Sequence, residues 1–257
     1  MSGETTDDAF LGGALQILQP MSGYRAGIDA VLLAAAAPAS AGDRVLDAGA
    51  GVGVVGLAVA RRVPGAQVVL VERDPALAAL ARANAARNGL TSRVSVIEAD
   101  VARPLAEFPE LAAQAERFDH VLANPPYHAE GRGTAAREPI KAAAHAMPAG
   151  DLDRWARFLA AMTRPGGTVT LINRAEALGD LLAALAGRFG GATVFPLHPR
   201  EGEPASRVLV QATKGSRAPL ELHRGLVLHD AGNAFRPEVD ALLRGGAALT
   251  LSRATPA

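Results

Sequence analysis

Along most of the chain, short apolar runs alternate with longer stretches whose apolar residues recur at helical spacing. The runs Arg44–Asp47, Gln67–Glu72, Val94–Glu98 and His120–Ala123 predict buried strands of a parallel sheet. Val54–Arg62 and Pro75–Asn88 predict helices between them, the second with proline in its first turn and Gly89 just past its end. Further on, a helix is expected over Asp151–Thr163, stopped by Arg164-Pro-Gly-Gly167, then a strand over Thr168–Ile172. A helix over Ala175–Arg188 and strands over Thr193–Leu197 and Ser206–Thr213 complete the pattern. Strands alternating with helices of this length imply right-handed crossovers and a doubly wound α/β sheet. The last two strands have no helix-length link between them, so they are expected to pair antiparallel.

Ahead of this unit, residues 9–23 alternate apolar and polar after a Gly-Gly turn and read as a short strand or extended arm. A helix over Ala30–Ala37 follows and is halted by Pro38. The chain is therefore expected to divide into an arm and helix over 1–40, packing on the ligand site of the sheet, and a domain over 41–257 with a short C-terminal extension. The segment His128–Met147 has no clear period and is expected to form a mobile loop over the site, partly helical at its end.

Composition adds bounds rather than chemistry. The 257 residues are 49% hydrophobic, 20% charged and 4% aromatic, which suits one generous soluble domain with appendages. Formal net charge is zero, so a nucleic-acid partner would need a local basic patch. With no cysteine, disulfides, thiolate metal sites and cysteine nucleophiles are excluded. Met1–Asp8 is polar and acidic and lacks the basic and apolar regions of a signal peptide. Ala30–Ala41 is too short to span a bilayer. A cytoplasmic protein is expected, without membrane contact or metal.

The first candidate chemistry follows the first strand. Asp47-Ala-Gly49-Ala-Gly51-Val-Gly53-Val-Val-Gly56 contains the spacing of a dinucleotide fingerprint, and Glu72 lies about 20 residues on. A nicotinamide enzyme is thus a competitor. Asp47 opposes it, because a pyrophosphate at this turn would meet a carboxylate where dinucleotide folds offer backbone N–H groups and a helix dipole. A carboxylate there suits a cationic ligand such as S-adenosylmethionine, and the glycines let the backbone approach closely. Glu72 would then take ribose hydroxyls, and Asp100 would accept from the adenine amino group with Val101 beside the ring. Each acid taken singly reads as a loop cap or a solvated residue. An acid at the tip of three successive strands reads as a site.

The second feature is Asn124-Pro125-Pro126-Tyr127, directly after the fourth strand. Neither proline can donate to a ladder, so a stiff loop is expected at the carboxyl end of a strand, where open α/β sheets place ligands. Asn124 and the Pro125 carbonyl can accept both N–H bonds of a planar amino group, and Tyr127 can stack on the attached plane. Alone, Asn-Pro-Pro also reads as a simple turn.

Together, Asp47-x-Gly49-x-Gly51-x-Gly53, Glu72, Asp100 and Asn124–Tyr127 resemble the class I S-adenosylmethionine-dependent methyltransferases that modify amino groups. More narrowly, Gln19-Pro-Met-Ser-Gly-Tyr24-Arg25-Ala-Gly-Ile-Asp29 is similar to the bacterial adenine-N6 methyltransferases acting on valine tRNA beside the anticodon, as are Arg207–Gly215 and Leu226–His229. The resemblance implies a seven-stranded Rossmann-like sheet with an antiparallel last strand. It also implies Tyr24, Arg25 and Asp29 near the cofactor's methionine end, with Arg25 meeting the carboxylate or serving as a structural ion-pair partner. Arg73 and Asn124 join the cofactor-binding set, and Asn124–Tyr127 form the catalytic set. For an RNA substrate, Arg132, Arg137, Lys141 and His145, with Arg154 and Arg157 on the next helix, would form a phosphate-contacting rim. Glu130 and Glu138 dilute that rim, and an ordinary solvated face fits equally. Glutamine-N5 methylation of a protein, methylation of a small molecule, and a cofactor-binding module without chemistry are the competing readings.

Overall fold

In the computed structural model, which describes residues 4–23, 25–126, 128–129, 146–147, 151–230 and 232–251 (128–129, 146–147 and 151 by backbone alone), the chain opens with a hairpin. Thr5–Phe10 (β1) pairs antiparallel with Leu15–Pro20 (β2) across a tight turn at Leu11–Gly13. Of the short strand or extended arm expected over 9–23, the strand is β2, and it is the second half of a two-stranded unit whose first half, β1, was not expected. Ile28–Ala36 (α1) follows; Ala37 turns extended before Pro38, as the clash with a following proline ring requires.

The sheet is laid down by Arg44–Ala48 (β3), Gln67–Glu72 (β4), Val94–Glu98 (β5) and Phe118–Ala123 (β6). Val54–Arg62 (α2) and Pro75–Arg87 (α3) link the first three, and a short helix Pro109–Ala112 (α4) precedes β6. Asp151–Met162 (α5) leads into Thr163–Arg174 (β7), then Leu178–Leu185 (α6), Phe189–His198 (β8) and Arg207–Lys214 (β9). The strand order is β8-β9-β7-β6-β3-β4-β5, all parallel except β9, which runs antiparallel between β7 and β8. Two two-residue strands, Glu221–Leu222 and Leu226–Val227, pair on the edge of β8 and complete nine. Pro237–Leu243 (α7) packs against α1. The expected doubly wound sheet with an antiparallel last strand is the observed fold.

Local differences have local causes. β7 begins at Thr163 rather than Thr168, with a register irregularity opposite Phe118–His120 that absorbs Pro165 and the glycines. Lys214 Nζ donates to the Ala160 and Thr163 carbonyls at 2.7 and 2.8 Å, which caps the end of α5 at the point where the strand starts. The helix expected over Ala175–Arg188 is a 3₁₀ turn followed by α6, and Gly187 at φ 75° lies beyond its end. Of the segment His128–Met147, His128–Ala129 and Ala146–Met147 form a two-residue parallel pair; the rest lies outside the described residues.

The sheet carries a core on each face. Val45, Leu70, Leu122 and Leu209 pack with α1–α3 and with Leu15 and Ile17 of the hairpin. Leu46, Val71, Val121 and Val210 pack with α5 and α6 on the other side. Burying each such leucine contributes about 1.5–3 kcal/mol relative to exposure. The arm therefore belongs to the same hydrophobic core as the first face of the sheet.

Candidate functional site

At the carboxyl ends of β3–β6 lies a cavity of about 870 Å³, within the roughly 300–1,000 Å³ usual for ligand sites. Its floor is the glycine turn after β3. Gly49, Gly51 and Gly53 all have positive φ, at 70°, 57° and 91°. Gly49 is required twice over, since a Cβ there would lie 2.6 Å from Trp155 Cη2. Gly49 and Gly51 face the cavity, whereas Gly53 is the residue before α2 and sits behind the wall. At Gly56 a Cβ would come 2.2 Å from Leu70 Cδ2, so this glycine seats α2 against β4 and does not face the cavity.

Glu72 ends β4 and is 7% exposed. Its Oε2 accepts from the Gly51 N–H and its Oε1 from the Asp74 N–H, both at 2.8 Å. One carboxylate thus ties the glycine turn to the start of α3, which Asp74 caps by accepting from the Ala76 and Leu77 N–H groups. Its orientation toward the cavity is set by two backbone donors rather than by a flexible rotamer. Asp100, after β5, accepts from the Ala102 N–H at 2.9 Å and lies 4.0 Å from the Arg73 guanidinium, which is largely exposed. Val101 beside it is buried and lines the same wall. Asn124, Pro125 and Pro126 form the adjoining wall at the end of β6, with Pro125 buried and the other two half-buried.

Three expected site residues stand differently. Asp47 is 1% exposed and points toward α2, where its Oδ2 accepts from the Gly56 N–H at 2.9 Å; it is not on the cavity wall. A residue two places from Val45 shares its side of the pleat, and that side is the α2 side. Arg25 lines the cavity, but its guanidinium donates to Asp8 Oδ2 at 2.6 Å, to Thr6 Oγ1 at 2.8 Å and to the Pro20 carbonyl at 2.9 Å. The structural ion pair, rather than a guanidinium open to a ligand carboxylate, is what the structure contains. Asp29 lines the cavity and accepts from Arg207 Nε at 2.9 Å. Tyr24, Tyr127, Arg132, Arg137, Lys141 and His145 lie outside the described residues.

The cavity also uses residues to which the sequence assigned no role. Trp155, the sole tryptophan, reaches it from α5. Arg207 and His229 also line it, and the His229 ring stacks on Phe235 with centroids 4.6 Å apart. Both lie in the C-terminal stretches used above as family signatures, but neither type nor spacing marks them as cavity residues.

Burial pushes the Asp47 carboxyl up to about 7; the Gly56 N–H pulls it down, and the Glu72 carboxylate adds a smaller upward push. A carboxyl that holds its proton more tightly folded than unfolded adds stability that is complete below its ordinary value of 3.8 and is lost as pH rises through about 7. The difference amounts to roughly 4 kcal/mol at most. Asp47→Asn keeps an acceptor for the Gly56 N–H. Urea unfolding of parent and variant is therefore expected to show the parent losing stability relative to the variant between about pH 4 and pH 7. A difference that does not change with pH would mean that the carboxyl titrates as a solvated group.

The acceptor set fits a nucleoside: acids at the ends of two successive strands, a close backbone approach at Gly49–Gly51, and apolar Val101 beside Asp100. Among the described residues no group of His, Asp and Glu is arranged to hold a metal, and no helix is long and apolar enough to cross a membrane.

Residues 25–153 match the family described as Methyltransferase small domain. A tRNA1(Val) (adenine(37)-N6)-methyltransferase of Aeromonas hydrophila is 32% identical over 217 residues, covering 82% of this chain and 85% of that one. A release factor glutamine methyltransferase of Geobacter sulfurreducens is 42% identical over 83 residues, covering 32% of this chain and 26% of that one. Among solved structures, a predicted O-methyltransferase from Agrobacterium tumefaciens is 36% identical with a TM-score of 0.73, covering 86% of this chain and 98% of that one.

Proposed function

Because the chain belongs to the methyltransferase small-domain family and takes S-adenosylmethionine as its cofactor, we propose that it methylates the N6 amino group of an adenine in tRNA. The observation that carries this reading is that Asn124-Pro125-Pro126 lines the same cavity as Glu72 and Asp100, across the tip of β3 from them. When bound, the cofactor supplies an electrophilic methyl group on a sulfonium.

The protein's own groups do the rest. Glu72, held by two backbone donors, takes the ribose hydroxyls; Asp100 accepts from the cofactor's adenine amino group, and Val101 packs on the ring. Gly49 and Gly51 let the backbone come close, with Arg73 at the rim. Asp47 works from behind the wall by holding the start of α2 and with it the glycine turn. Asn124 and the Pro125 carbonyl accept the two N–H bonds of the target amine. An exocyclic aromatic amine is a poor nucleophile because its lone pair is delocalised into the ring. Two acceptors in these positions favour a more tetrahedral nitrogen with the lone pair aimed at the methyl. Positioning of this kind supplies on the order of 7–11 kcal/mol. Tyr127 stacks on the base, worth roughly 1–3 kcal/mol, and Arg132, Arg137 and Lys141 contact phosphates. The methylated nitrogen then releases its proton to water, so no strong base is needed. A base stacked in RNA must first be turned out.

Support for adenine in tRNA comes from the 32% identity to the Aeromonas hydrophila enzyme along most of both chains. A glutamine amide is also planar, and the 83-residue likeness to a release factor glutamine methyltransferase favours that as the second reading. The deciding experiment offers labelled donor to total RNA and to total protein, followed by nucleoside analysis. N6-methyladenosine in the tRNA fraction is the expected result, and label confined to protein rejects the RNA reading.

A further inference from the structure

The hairpin β1–β2 is a two-stranded sheet, and on its β2 side a helix takes the place of a third strand. Asn84 in the last turn of α3 and Asn88, the residue that caps its C-terminal end, lie four residues apart and face alternate residues of β2. The Gln16 N–H donates to Asn88 Oδ1 at 2.9 Å, and Asn88 Nδ2 donates to the Gln16 carbonyl at 2.8 Å. The Leu18 N–H donates to Asn84 Oδ1 at 2.8 Å, and Asn84 Nδ2 donates to the Leu18 carbonyl at 3.1 Å. Each side-chain amide thus exchanges two bonds with one residue, as opposed residues do in an antiparallel ladder. The spacing allows it: four residues of helix rise about 6 Å, and two residues of strand advance roughly 6.4–6.8 Å.

This ladder reaches the cavity by two routes. Asn84 is fully buried, and its Nδ2 also donates to the Val52 carbonyl at 3.0 Å, inside the glycine turn. Beyond Leu18, buried Gln19 accepts from the Ala26 N–H at 2.8 Å and donates to Asp8 at 2.9 Å, and Asp8 in turn holds Arg25. Pro20, Ser22, Gly23 and Arg25 form that edge of the cavity. At its other end the same helix, with its cap Asp74 and with Ala76 and Leu77 of its first turn, also lines the cavity.

We infer that Asn84 and Asn88 are positioning residues for the cofactor: they register the arm against α3 as a surrogate strand, so that arm and glycine turn enclose the donor as one preorganised wall. The inference rests on the S-adenosylmethionine site and not on the choice of acceptor. Asn88 is half-buried at the surface, so Asn88→Ala keeps the fold, while Asn84→Ala probes the stronger link. By calorimetry, Asn88→Ala is expected to weaken S-adenosylmethionine binding by about three- to tenfold, the range for losing one or two neutral hydrogen bonds. Amide exchange at Gln16 and Leu18 is expected to accelerate, and binding of the donor is expected to slow it again.

A double-mutant cycle with Arg25→Ala separates positioning from general destabilisation. If the asparagines act through the arm, the two losses in donor affinity are not additive. Additive losses, or a lowered unfolding temperature with donor affinity unchanged, overturn the inference. Tight donor binding by the parent chain in the same titration keeps this outcome distinct from failure of the cofactor site itself.

Discussion

Asn124→Ala is expected to abolish methyl transfer, lowering the single-turnover rate by at least about 10²-fold, while donor affinity stays within a few-fold of the parent. The magnitude follows from what removal of one preorganised polar group costs at a reacting centre. The split between rate and affinity follows from the site's layout. The acids proposed to hold the donor stand at the tips of β4 and β5, and Asn124 stands at the tip of β6 beside buried Pro125. An alanine there removes an acceptor for the amine and leaves Glu72 with both of its backbone donors. Quenched-flow transfer and calorimetry on the same variant check the two halves. Activity near the parental level would remove Asn124 from the chemistry.

Glu72→Gln is expected to act in the opposite sense, on donor affinity first. The two backbone N–H groups of Gly51 and Asp74 each need an acceptor, and a carboxylate provides one on either oxygen. A glutamine keeps one acceptor and turns its NH₂ toward the other donor. The unsatisfied buried N–H costs about 1–3 kcal/mol of stability, and the glycine turn loses its tether to α3. On the proposed reading the ribose hydroxyls lose charge-assisted acceptors at the same time, each worth roughly 1.5–3 kcal/mol. Donor affinity should therefore fall by about 10²–10⁴-fold. Calorimetry and a thermal scan measure both effects; unchanged affinity would show that Glu72 only braces the turn.

Much of this site could be read before any fold was known. Glu72, Asp100 and Asn124 were expected at the ends of successive strands, and each lines the cavity formed there. That follows from a general property of parallel sheets, whose carboxyl ends open onto loops that do not carry the ladder. The reading weakened wherever a residue's partner lay far along the chain. β1 carries Thr5, Thr6, Asp7 and Asp8, too polar to announce a strand. It forms because β2 buries Leu15 and Ile17 and because Asn84 of α3 and its capping residue Asn88 hold β2. Asp47 was expected at the ligand because it ends a strand, but the pleat turns it the other way.

By itself the sequence determined the alternation of strands and helices, the antiparallel last strand, the turn glycines and the order of motifs along the sheet edge. All of these follow from periodicities and backbone preferences within a few residues. Only the tertiary structure decided which charges stay at the cavity and which are consumed by pairing. Arg25 is held by Asp8, Asp29 by Arg207 from 178 residues away, and the arm by two asparagines at the C-terminal end of α3. A side chain's type limits what it can donate or accept. Its partner is chosen by chain closure and by the cost of leaving a buried polar group unmatched, and neither is a local property.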